Sequence, residues 1–189
     1  MKKGFREEHG FTLLEVLAAI IILSIVSLVL TSYFTNAMSY SKSNQNKTVM
    51  ANLARNALFY MEKQDFKKMK ELFDADKSQQ PDLAGSLCKD VTGCLYKDKF
   101  LNPDVLPEIL NPVINDVQYE LEIVYQADLH QTMLAGGDPA DGSPGADGEK
   151  RQMAQYLLPV KVVVKGPGGA RGQAHETVVE GYITDEKIR

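Results

Sequence analysis

Tryptophan is absent from this 189-residue sequence, and cysteine occurs only twice, at Cys88 and Cys94. That spacing is neither the C-x-x-C of a redox motif nor part of a four-cysteine zinc site. There are three histidines. His9 lies in a charged N-terminal segment. His130 and His175 fall at a loop edge and a strand start, where solvent exposure is the expectation. No G-x-S-x-G, H-E-x-x-H or phosphate-binding loop occurs. GPGGARG at 166–172 is glycine-rich but lacks the Lys-Ser/Thr pair of a P-loop, and reads as a turn. These absences leave no support for an enzyme and call for no cofactor. A basic excess is also missing. The net charge is −4 and the pI about 5.4, which argues against broad nucleic-acid binding, though a local basic patch stays open.

Proline and glycine are both missing from residues 11–63. Within that stretch lies the longest apolar run, FTLLEVLAAIIILSIVSLVL at 11–30. Twenty residues at about 1.5 Å each span roughly 30 Å, the hydrocarbon thickness of a bilayer. Lys2, Lys3 and Arg6 precede the run, so its N-terminal side is expected in the cytoplasm and the bulk of the chain outside. A cleavable secretory signal fits poorly, because the run is too long and no A-x-A site follows. One residue in the run is out of place. Glu15 is a carboxylate among aliphatics, and such a charge costs about 2.5–3.5 kcal/mol at a helix centre.

The polar stretch 39–48, SYSKSNQNKT, has weak helix propensity and is the expected place for a bend or local melting. Beyond it, Met50, Leu53, Ala54, Ala57, Leu58 and Met61 form one apolar helical stripe. A second short helix is expected from Asp65 to Phe73, with Phe66, Met69, Leu72 and Phe73 inward. DADKSQQPDLAG reads as loop. FLNPDVLPEILNP at 100–112 holds three prolines and cannot be long regular structure. Strand patterns follow at 117–127, 156–165 and 175–184, with Pro159 favouring an edge or a bulge. The fold class is therefore α+β, a long N-terminal helix packed on a C-terminal antiparallel sheet.

Residues 136–149, GGDPADGSPGADGE, have loop composition. Asp138, Asp141, Asp147 and Glu149 offer oxygens for Ca²⁺, but their spacing misses the EF-hand pattern, so a solvated loop stands beside a calcium loop. Cys88 and Cys94 flank a turn-forming KDVTG. A structural disulfide is allowed outside the cytoplasm, and two free thiols remain the alternative.

A basic leader ending in Gly10, then Phe11, Thr12, Leu13, Leu14 and Glu15 opening an apolar run, resembles the type IV prepilin signature. Type IV pilins, type II secretion pseudopilins and competence pseudopilins share it. The resemblance covers residues 1–36 by sequence and the rest by architecture only. It implies a leader at 1–10, a membrane and filament-core helix at 11–36, an amphipathic extension at 37–63 and a globular head at 64–189. It implies cleavage between Gly10 and Phe11 by a prepilin peptidase and N-methylation of Phe11. It also implies that Glu15 pairs with the Phe11 ammonium of a neighbouring subunit. Each buried charge would then offset the other's desolvation. Further implied partners are other pilins, an assembly platform protein and a cytoplasmic ATPase. Many major pilins carry a proline in or just after the apolar run. None occurs here before Pro81, which favours a minor pilin or pseudopilin. The filament's purpose stays open among pilus functions, secretion and DNA uptake. A signal-anchored surface protein with a ligand-binding head is the alternative of another class.

Overall fold

The computed structural model describes residues 11–74, 83–136, 148–166 and 175–188, with the side chains of 148–150 excepted. The first element, α1, is one α-helix from Leu13 to Glu62. It passes through 39–48 without interruption, so the expected local melting there is not seen. No proline or glycine falls in that stretch, and weak propensity alone costs only tenths of a kcal/mol per residue. The chain divides into two compact units between Asn44 and Gln45. In the first, residues 11–42 are exposed all round the helix.

The second unit is built on α1 from Gln45 onward. Met50, Ala54, Ala57 and Met61 are fully buried, and Leu53 and Leu58 are half-buried against the same core. The second helix, α2, runs Phe66–Asp74 and buries the four residues its pattern picks out: Phe66, Met69, Leu72 and Phe73. The sheet has four antiparallel strands: β1 (Leu83–Ala84), β4 (Glu120–Tyr125), β5 (Leu157–Gly166) and β6 (His175–Thr184), in that order across the sheet. Between β1 and β4 come short helical turns, α3 (Leu106–Leu110), and a hairpin of β2 (Val113–Ile114) and β3 (Val117–Gln118). Between β4 and β5 stand α4 (Ala127–Leu134) and α5 (Gly148–Ala154).

The inner face of the sheet carries Leu121, Ile123, Tyr125, Leu158, Val160, Val162, Val164 and Ile183, all in the core. The approach of α1 to this face is close because Gly181 has no side chain. A Cβ there would lie 2.4 Å from Leu58 Cδ2. The arrangement is the expected α+β one, with several corrections. The strand expected at 117–127 is broken at Tyr119, where β3 ends in its hairpin and β4 begins, and it stops at Tyr125. The second strand is central, so Pro159 is not on a sheet edge. The carbonyl of Pro159 accepts from the Gln126 amide at 2.9 Å, so its missing N–H also faces the β4 side. Pairing with β4 has ended there, at Tyr125↔Val160. The Gln126 carbonyl, which that N–H would have met, instead accepts the His130 amide at 3.0 Å, so the ladder with β4 stops at the proline.

Candidate functional site

The N-terminal end of α1 is built by its own side chains. Phe11 and Thr12 precede the helix, which starts at Leu13. The first amides of a helix have no intrahelical acceptor. Thr12 and Glu15 answer this reciprocally. The Thr12 amide donates to Glu15 Oε2 at 2.9 Å, and the Thr12 hydroxyl donates to the same oxygen at 3.0 Å. The Glu15 amide lies 3.3 Å from Thr12 Oγ1. This is a capping box, T-x-x-E. A carboxylate at this end also complements the positive pole of the helix dipole. Glu15 therefore has a local role in the isolated chain. The sequence pattern was sufficient to find it, since Thr or Ser three residues before an acid, ahead of an apolar run, is a helix-start signal. Both Thr12 donors converge on Oε2, and no hydrogen bond reaches Oε1 among the described residues.

Thr12→Val removes the hydroxyl and Thr12→Ser keeps it. Loss of such a cap costs about 1 kcal/mol. Amide exchange at residues 13–16 of the full chain in detergent micelles should quicken about fivefold in Thr12→Val and stay near wild type in Thr12→Ser.

Beyond the cap, α1 is long and apolar enough to cross a membrane. Three of its hydroxyls, those of Ser24, Thr31 and Thr35, bond to carbonyls within the helix. Ser24 donates to the Ile20 carbonyl and Thr31 to the Ser27 carbonyl, each at 2.8 Å. Such internal bonds let polar side chains sit in apolar surroundings. Tyr33, Phe34 and Tyr40 are exposed just past the apolar run, as in the aromatic belt at a membrane interface.

The remaining sequence candidates fall elsewhere. Gly10 and His9 lie outside the described residues, as do Asp138, Asp141 and Asp147; of Glu149 only the backbone, in α5, is described. No cluster able to hold a metal ion occurs among the described residues. Cys88 and Cys94 are joined as a disulfide, with Cα atoms 4.2 Å apart and both residues buried. Asn111 Nδ2 braces this loop, donating to the carbonyls of Cys88 and Gly85 at 2.8 and 3.0 Å. His130 corrects the sequence reading. It is only 5% exposed, because residues 127–134 form a helix whose inner face it occupies. His175 is half-buried, with its Nε2 buried and unpartnered among the described residues.

The model of the prokaryotic N-terminal methylation motif matches residues 5–31. No curated protein and no solved structure shows significant similarity to the chain. The motif on a long N-terminal helix, followed by an antiparallel sheet, supports a type IV pilin-like prepilin. The motif implies processing by a prepilin peptidase and assembly with other pilins. It points to a structural protein, and with the apolar helix it fits a membrane-anchored chain with an exposed head.

Proposed function

We propose that the chain is a minor pilin or pseudopilin of a type IV pilus-like filament. In this reading residues 1–10 are a cytoplasmic leader, removed between Gly10 and Phe11. Phe11 is then N-methylated. Residues 11–36 anchor the subunit in the membrane and afterwards pack in the filament core. Residues 37–63 extend that helix, and 64–189 form the head outside. A platform protein and a cytoplasmic ATPase drive assembly.

One observation carries the reading: an N-terminal methylation motif on a helix whose apolar run, residues 11–30, is exposed on every side. Such a helix needs lipid or other helices around it. The geometry at Glu15 supports the charge pair. Its Oε2 serves its own helix, and Oε1 is left for a neighbour's ammonium. The minor role rests on an α1 with no proline to kink it.

Filaments sheared from the cells and purified test this. The expected result is the mature chain in the filament fraction, at a small fraction of the most abundant pilin. A chain found only in membranes, while filaments form normally without it, would favour a signal-anchored ligand-binding protein.

A further inference from the structure

Between β4 and β5 the chain leaves the sheet and returns, forming α4 and α5 on the way. His130, on α4, sits at the base of this excursion. Its Nε2 is 3.1 Å from the Ala154 carbonyl at the end of α5, and its Nδ1 is hydrogen-bonded to the Tyr125 hydroxyl at the end of β4. A carbonyl only accepts, so Nε2 carries the proton. Nδ1 is then the acceptor, and Tyr125 donates to it. The ring is neutral, buried and satisfied at both nitrogens.

We propose that His130 is an acid-opened clasp: its neutral ring ties α4 to α5 and to β4, and its protonation releases the α4–α5 excursion. A second ring proton would go to Nδ1, against the Tyr125 hydroxyl. That hydroxyl would have to turn its own proton away. Tyr125 is stacked on Phe73 with ring centroids 4.7 Å apart and is itself buried. The imidazolium would also lose water.

The charged groups facing the ring come from α2 and oppose each other. Lys70 disfavours the cation and Asp74 favours it. Burial is the larger influence and holds His130 below its ordinary 6.5, against the hydrogen bond to the Ala154 carbonyl, which favours the cation. Burial, and to a lesser degree Asp74, pushes Tyr125 up to about 12, so the tyrosine keeps its own proton throughout. The sign follows. The released histidine takes up its proton near 6.5, and the clasped one only at lower pH. The open form therefore binds more protons. The clasp is fully held above 6.5 and weakens as the pH falls from there to the clasped ring's own pKa. For one proton the opening equilibrium rises by up to about tenfold per pH unit.

The full chain in detergent micelles gives the test. In an NMR titration His130, assigned by its loss in His130→Gln, should titrate below 6.5; a midpoint at or above 6.5 overturns the proposal. Amide exchange in 127–134 and 148–154, corrected for intrinsic rates, should rise several-fold from pH 7.5 to 5.5 in the wild type. In His130→Gln it should not vary with pH. A flat wild type, or the same rise in His130→Gln, overturns the clasp.

Discussion

A Gly10→Val variant should accumulate as uncut precursor, with processing lowered by on the order of a hundredfold. The argument starts from the helix. The capping box fixes the start of α1 at Leu13 and leaves Phe11 and Thr12 outside it. In the proposed reading the cut falls just before Phe11, a residue outside the first helical turn, where a protease can bind extended backbone. Glycine places no Cβ in the path of that approach. A β-branched side chain would hold the scissile carbonyl away from the catalytic groups. Misplacement by about 1 Å is enough to cost about a hundredfold. Immunoblots of cells expressing the prepilin peptidase would show the precursor-to-mature ratio. Membrane insertion should be unaffected, because α1 itself is unchanged. Normal processing of Gly10→Val would contradict the assignment of the cleavage site.

Glu15→Ala should be cut normally but should fail to enter filaments. Cleavage would expose an α-ammonium at Phe11. Buried among helices without a counter-charge, that cation costs about 3–5 kcal/mol, equivalent to roughly a hundred- to several-thousandfold in incorporation. Glu15→Gln separates the two roles of the side chain. A capping box accepts glutamine as well as glutamate, so the amide retains the bond to the Thr12 backbone while the charge is lost. If charge pairing governs assembly, Glu15→Gln should be excluded nearly as strongly as Glu15→Ala. If only the cap matters, Glu15→Gln should assemble like the wild type. The fraction of mature chain recovered in sheared filaments distinguishes them.

The features readable in the sequence were those with a strong period. The stripe from Met50 to Met61, the four inward residues of α2 and the whole of β6 stood out because burial on one face imposes spacings of 3.6 or 2. Features set by the chain's path across the sheet did not stand out. β1 is two residues long, too short for any period, and exists because Leu83 pairs with Ile123. Pro159 misled because the end of β4 opposite it cannot be seen from residues 156–165 alone. The β2–β3 hairpin carries a legible signal. Asn115 and Asp116 separate two short apolar-bearing segments, and both have positive φ, 51° and 61°, as a type I′ turn requires. His130 looked like a loop residue because the helix around it is short and polar on its outer side. Its burial comes from the contact with α5, more than a dozen residues on. At the N-terminus, the partner of Glu15 within its own chain, Thr12, stands three residues away, at the spacing of a capping box.

The central claim is that this chain is made as a precursor and becomes competent to assemble when a new N-terminus appears at Phe11. The most direct measurement is the intact mass of the protein isolated from cells that carry a prepilin peptidase. The account predicts a chain that begins at Phe11, lacks residues 1–10 and carries one added methyl group on its amine. A mass that retains Met1–Gly10, or one that places the N-terminus at any other residue, would contradict it.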